Sequence, residues 1–165
     1  MPRIIGIDPG IRRTGYGVID TDGTRFHLVD AGVIKPPVDL PLVERLLRIE
    51  RALEIVIAEH RPDSCGVENV FYHKNPRSML TLGQAQSAAM LTAARNGLAV
   101  ETYSPTEVKQ AVTGGGRAAK EQVCFMVERI LGRDFSGSPD DMTDALAVAI
   151  CHAGRTERTV AGGVR

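Results

Sequence analysis

Four carboxylates stand where chemistry could use them. Asp8 closes the apolar run Ile4-Ile5-Gly6-Ile7, and Glu68 closes a second, Ser64-Cys65-Gly66-Val67. Asp141 and Asp144 open the helical pattern Asp141-Met-Thr-Asp144-Ala-Leu-Ala-Val-Ala-Ile150. Their spacing of three sends both side chains from one helix face. A carboxylate is costly to desolvate and is rarely buried without a partner. Three segments distant in sequence each deliver one to the tip of a core element, and if they converge, a bound cation must hold them together. Hard oxygen ligands suit Mg²⁺ or Mn²⁺. Two such ions, about 3.5–4 Å apart, would serve in-line attack on phosphorus. One lowers the pKa of a bound water, and the other stabilises the leaving 3′ oxygen. The chemistry to expect is metal-dependent cleavage of a phosphodiester, with no nucleophilic Ser, Cys or Lys required. Taken singly, the acids have plainer roles. Asp8 before Pro9-Gly10 can form a turn, and Asp141 and Asp144 suit a helix N-terminus. Glu68, directly after an apolar strand, has no such plain role.

Around these acids the sequence offers contacts for a polyanion. Phe71 and Tyr72 lie in a loop three residues past Glu68, in a chain with only 4 Phe and 3 Tyr. An exposed aromatic beside a phosphate site can stack on an unpaired base; packing under the loop is the alternative. Lys74 and Arg77 follow, placed to meet backbone phosphates. From Asn69 to Val100 there is no Asp or Glu, and Lys109, Arg117 and Lys120 come next. The formal net charge of zero argues weakly against a nucleic-acid binder. The distribution, a basic middle around an acidic pocket, argues for one. Gly114-Gly-Gly-Arg-Ala-Ala-Lys120 lacks the Gly-Lys-Ser/Thr ending of a P-loop. It either offers N–H groups with Arg117 and Lys120 to phosphate at a helix start or simply connects two helices. His73 and His152 could move protons, although a lone histidine is more often structural.

The elements that must position these residues are legible. Residues 3–8, 14–19 and 25–34 read as three strands joined by short turns, the second turn being Asp20-Thr-Asp22-Gly23. Lys35-Pro36-Pro37 ends that antiparallel meander. Asp39 is placed to cap a helix, with Pro41 tolerated in its first turn. Leu42, Leu46, Ile49, Leu53 and Val56 form one helical face. Residues 64–68 make a short buried strand. After a loop over 69–77, Ser78 can cap a helix to about Asn96-Gly97. This helix is rich in Gly, Ala and Ser, which permits close packing in the core or across a dimer. Ala99–Tyr103 is a fifth strand. Short helices follow over 105–112 and 118–131, and the last runs from Asp140 or Asp141 to about Gly154. Three strands followed by strand–helix alternation give an α/β fold, a mixed five-stranded sheet with helices on both faces.

A length of 165 residues, 43% hydrophobic and 24% charged, fits one globular domain. Residues 155–165 are poor in apolar side chains and read as a disordered tail. No apolar stretch reaches the roughly 18 residues of a membrane span. Met1-Pro2-Arg3-Ile4 lacks a signal-peptide layout, so a cytoplasmic protein is expected. Cys65, Cys124 and Cys151 are odd in number and widely spaced, and read as buried free thiols.

In combination these segments resemble the bacterial RuvC Holliday-junction resolvases. The matching stretches are Gly6-Ile-Asp-Pro-Gly10 with Thr14-Gly-Tyr-Gly17, Val67-Glu-Asn-Val-Phe-Tyr-His-Lys-Asn75 and Leu82-Gly-Gln-Ala85. Val108-Lys-Gln110, Lys120-Glu-Gln-Val123 and Asp141-Met-Thr-Asp-Ala-Leu-Ala147 complete the set. Each is weak alone, and together they span nearly the whole chain. The resemblance implies an RNase H-like fold over residues 1–154 and a homodimer, with helix 78–96 similar to the family's dimer helix. It implies a Mg²⁺-dependent endonuclease, with two ions per site and Mn²⁺ able to substitute. The substrate implied is the four-way DNA junction, cut by paired symmetric nicks that leave 5′-phosphate and 3′-hydroxyl ends. Asp8, Glu68, Asp141 and Asp144 then correspond to the metal-binding catalytic set, Phe71 to the junction-contacting aromatic, and Lys109 and Lys120 to DNA-binding lysines. The RuvA–RuvB branch-migration motor is the implied partner. Asp140 adds a carboxylate beside Asp141, and family spacing to Asp144 favours Asp141. Two other classes fit less well. Actin-like kinases share the Asp-x-Gly turn but need two such domains, and a catalytically dead junction binder would not keep all four acids.

Overall fold

The computed structural model describes residues 1–69 and 74–162. In chain order the elements are β1 (Arg3–Asp8), β2 (Thr14–Thr21), β3 (Phe26–Ile34), α1 (Leu42–His60), β4 (Ser64–Glu68), α2 (Pro76–Arg95), β5 (Ala99–Tyr103), α3 (Pro105–Thr113), α4 (Lys120–Leu131) and α5 (Asp140–Gly162). The sheet order is β3-β2-β1-β4-β5. β1–β2 and β2–β3 pair antiparallel, while β1–β4 and β4–β5 pair parallel. The mixed five-stranded sheet expected from the sequence is therefore present, with β1 at its centre.

Strand alternation sorts the core into two layers. Ile5, Ile7, Cys65 and Val67 face α1 and α2, packing with Ile49, Leu53, Ala89 and Ala93. On the opposite face Ile4 and Ile19 pack with Leu146, Ala149 and Ile150 of α5 and with Val108, Val123 and Val127 of α3 and α4. α5 lies directly on β1 and β2, and glycine makes this possible. A Cβ on Gly6 would run into Ala145 O and Ala149 N of α5, and one on Gly15 into Asp141 O. The first turn of α5 is thus held against the ends of the central strands by backbone touching backbone.

One buried polar chain crosses the same layer. Tyr103 Oη lies 2.8 Å from His152 Nδ1, and His152 Nε2 lies 2.9 Å from Ser64 Oγ. Burial holds the His152 pKa below its ordinary value, and a neutral ring has one donor and one acceptor nitrogen to offer these partners. His152 is thereby a strut between β4, β5 and α5 rather than a group of the carboxylate site.

Three element ends differ from the sequence expectation. α1 begins after Pro41 with no side-chain cap, so Asp39 does not cap it. α2 is capped by Asn75, whose Oδ1 accepts from Arg77 N at 2.9 Å and Ser78 N at 3.4 Å, so Ser78 lies inside the helix. Asn before Pro is the stronger start, since Pro76 at the first helical position leaves no N–H to satisfy. α5 does not stop at Gly154 but continues through Gly162. An internal glycine costs a helix only about 1 kcal/mol, and Arg155 Nη2 anchors the extension by donating to Glu107 Oε1 at 2.7 Å. The stretch 155–162 read as disordered is therefore helical. Of the cysteines, Cys65 and Cys151 are buried, but Cys124 is only half-buried; all three are free.

Candidate active site

Parity and register bring the first two acids together. On β1, Ile4, Gly6 and Asp8 share the face that α5 covers; on β4, Ser64, Gly66 and Glu68 do. Ile7 pairs with Val67 in parallel register, so Asp8 and Glu68 leave neighbouring strand ends on the same side. α5, pressed onto Gly6 and Gly15, brings Asp141 and Asp144 to that spot. The four carboxylates predicted from three distant segments do converge.

Their charges show how crowded they are. Burial first, then the charge of Glu68, a hydrogen bond to Glu68 and the charges of Asp144 and Asp141 push Asp8 up to about 9. Near neutral pH Asp8 therefore keeps its proton and donates it to Glu68. Glu68 is itself raised, by burial above all and then by Asp144, against the pull of the Asp8 hydrogen bond and of Lys109 and Lys120. Asp144 is raised by burial, with Lys120 opposing.

Two lysines close the site from the other side. Lys120 Nζ lies 3.3 Å from Asp144 Oδ2 and 3.2 Å from Asp140 Oδ2. Burial works against its charge but is outweighed by these carboxylates, so its pKa is raised. Lys109 and Lys120 line a pocket of about 180 Å³ together with Glu68 and Asp144. Asp140 is 74% exposed and turned to Lys120, whereas Asp141 is among the charges acting on Asp8.

The donor set suits a hard divalent cation, which binds oxygen ligands and needs several carboxylates to offset its charge. Among the described residues no group of three or more His, Cys, Asp or Glu side chains is already set in ligating geometry. Asp8 and Glu68 instead share a proton. A cation would replace that proton and offset the carboxylate charges that, after burial, hold the Asp8 pKa up.

The remaining predicted residues fall into three groups. Phe71 and His73 lie outside the described residues. Lys74 and Arg77 are exposed at the start of α2, and Arg77 lines a cleft of about 900 Å³ whose lining includes Asp141. Arg117 is exposed before α4 and does not line the pocket of Lys109 and Lys120. The segment around it is a shaped turn, with Gln110 Nε2 donating to Gly114 O at 2.8 Å and Ala118 N to Gly115 O at 3.1 Å. Sequence reasoning passed over Arg12, Arg13 and Lys35, which line the Arg77 cleft; Arg13 Nη1 reaches Asp141 Oδ2 at 3.7 Å. The available signal was the pair Arg12-Arg13 one residue after the Asp8-Pro9-Gly10 turn.

A sheet of this order, with clustered acids at the carboxyl ends of its two central parallel strands, defines a nuclease of RNase H-like fold. The sequence model of the family described as crossover junction endodeoxyribonuclease RuvC matches residues 4–152. A protein of that name from Pelotomaculum thermopropionicum is 49% identical over 150 residues, covering 91% of this chain and 92% of the relative. Thermus thermophilus RuvC, solved in complex with Holliday junction substrate, superposes with a TM-score of 0.91 at 35% identity, covering 96% of this chain and 97% of that one. The yeast mitochondrial Holliday junction resolvase shares the fold at 16% identity, with a TM-score of 0.66 over 98% of this chain and 83% of that one. The chain belongs to the crossover junction endodeoxyribonuclease RuvC family. Among the described residues no helix is long and apolar enough to cross a membrane.

Proposed function

We propose that this enzyme resolves four-way DNA junctions by paired nicks, with Asp8, Glu68, Asp141 and Asp144 holding two Mg²⁺ ions. The observation that carries the reading is the convergence of the four acids, with Asp8 pushed up to about 9, beneath the amines of Lys109 and Lys120. Bound there, the ions supply a water of lowered pKa and charge neutralisation at the leaving 3′ oxygen; Mn²⁺ has the same ligand preference. The chain's own groups do the positioning. Asp8 and Glu68 release their shared proton, Asp144 aligns Lys120, and Lys109 and Lys120 draw the scissile phosphate over the carboxylates. Phe71, Lys74 and Arg77 follow Glu68 in sequence and are assigned to the junction DNA, as is Arg117.

Paired nicks need paired sites, and a two-fold homodimer presents two to a junction of approximate two-fold symmetry. An outward face supports this. Val43 and Leu47 of α1 and Met79, Leu80 and Leu91 of α2 are 42–66% exposed and line an apolar groove of about 900 Å³. Ala85, Ala89 and Ala93 of α2 are buried against the core, and Ala88 lies at the floor of the groove. The large apolar residues, with Gly83 and Ser87, are left to meet a second copy. Action on chromosomal junctions places the enzyme in the cytoplasm, downstream of the RuvA–RuvB branch-migration motor.

The test is cleavage of a synthetic four-way junction against a linear duplex of the same sequence, with Mg²⁺ and with chelator. Metal-dependent paired nicks in the junction alone are expected, lost in Asp8→Asn with junction binding kept. Equal cutting of both substrates would make the enzyme a general nuclease of the same fold.

A further inference from the structure

The cleft on the far side of Asp141 from Lys120 has a charge opposite to that of the site it joins. Arg12 and Arg13 come from the β1–β2 turn, Lys35 from the end of β3 and Arg77 from the first turn of α2. Among the described residues that line the cleft, Asp141 is the one acid. Among the described residues Arg12, Lys35 and Arg77 make no ion pair, and Arg13 makes one long contact, to Asp141 at 3.7 Å. Four cations from three segments would repel one another if nothing were bound between them.

The turn bearing two of them is also built to hold its shape. Thr14 Oγ1 donates to Gly10 O at 2.8 Å and accepts from Gly10 N at 3.2 Å. Arg45 Nη2 of α1 donates to Ile11 O at 2.8 Å. Arg12 and Arg13 are therefore carried by a fixed backbone, as a docking surface requires.

We propose that this cleft holds the phosphate backbone of the DNA strand as it runs to the carboxylate site, with Arg12, Arg13, Lys35 and Arg77 each facing a phosphate. The inference rests on the junction-cutting reading for its substrate. Arg13 is the joint between cleft and site: exposed and only loosely paired, it turns from Asp141 to the phosphate beside the scissile one. Together with Lys109 and Lys120 across the carboxylates, the cleft grips the strand on both sides of the cut. That is a positioning role, and it reads no bases.

The experiment is equilibrium binding of a fluorescent four-way junction in chelator over a range of salt, for wild type, Arg12→Ala/Lys35→Ala/Arg77→Ala and Arg133→Ala. Arg133 is exposed just past the end of α4 opposite Lys120 and serves as a single-charge control away from the cleft. Each duplex phosphate neutralised contributes about 0.9 to the slope of log affinity against log salt. The triple variant is expected to lose about 3 from that slope, and Arg133→Ala to keep the wild-type slope. A triple variant with the wild-type slope and an unchanged melting temperature would overturn the proposal. So would a fall of about 0.9 in Arg133→Ala, one charge's share of the triple variant's loss, which would make the effect one of overall charge. The wild-type preference for junction over duplex, measured as cleavage in Mg²⁺, tests the functional reading separately. An enzyme that cuts both alike yet loses slope in the triple variant keeps the cleft and loses the junction.

Discussion

Without metal, the stability of this protein should fall as pH rises, and Asp8 is the reason. Unfolded, its carboxyl ionises near its ordinary value of 3.8; folded, burial and the neighbouring carboxylates hold the proton until about pH 9. Between those limits the folded state keeps a proton that the unfolded state has lost. Each pH unit therefore lowers the unfolding free energy by about 1.4 kcal/mol. From about pH 6 to about pH 8 the loss is about 3 kcal/mol, a large share of the roughly 5–15 kcal/mol that holds a domain together. His152 acts in the opposite sense. Its pKa is lowered by burial, so its contribution is lost in acid and recovers as pH rises through the histidine range. Asp8→Asn removes the first effect and keeps the second. Urea unfolding of both proteins in chelator, near pH 6 and near pH 8, isolates Asp8 as the difference between the two pH dependences. Wild type should lose about 3 kcal/mol more than the variant. Millimolar Mg²⁺ should abolish that loss, because a cation bound only by the folded state takes the proton's place. Equal pH dependence of the two proteins in chelator would refute the reasoning, since Asp8 would then not be holding a proton across that range.

Other perturbations test separate parts of the structure. Lys120→Ala should weaken junction binding and reduce its salt slope by about 1, read by the same fluorescence titration. Gly6→Ala should destabilise by about 3 kcal/mol or more, because the new methyl meets the α5 backbone and neither side can yield; thermal and urea unfolding would measure it. Gly154→Ala, with nothing within 4 Å of the new Cβ on an exposed position of α5, should be neutral or gain up to about 1 kcal/mol in the same assay. Leu80→Asp places a charge on the exposed apolar groove and should shift sedimentation from dimer to monomer with the protomer fold intact.

What could be read from the sequence, and what could not, follows from the range of the forces involved. The succession of strands and helices and the place of the four acids at element ends were legible because period-two alternation and strand ends are local patterns. Asp8 and Glu68 each terminate an apolar run, and α5 announces itself by its own periodicity. The cap of α2 was misplaced because Ser78 and Asn75 are both good caps, and only the geometry of Pro76 decides between them. The end of α5 was set too early at Gly154, since the extension to Gly162 depends on Arg155 finding Glu107, 48 residues away in sequence. Arg12, Arg13 and Lys35 were passed over for the same reason. A cleft is a property of three segments at once, and no single segment marks it.

The buried chain from Ser64 through His152 to Tyr103 has a consequence for how β4 finds its place beside the central strand. A slip of β4 by one residue against β1 would turn every side chain on it to the other face. Glu68 would leave the carboxylate cluster for the apolar layer beneath α1 and α2, and Cys65 would face His152 where Ser64 belongs. The lost hydrogen bond at His152 alone costs about 1–3 kcal/mol, because a buried polar nitrogen is left unsatisfied. In an otherwise smooth apolar layer, one imidazole thus acts as a keyway. It makes the misregistered sheet detectably worse, and so protects the five-residue strand that carries Glu68, with little area of its own, from settling in the wrong frame during folding.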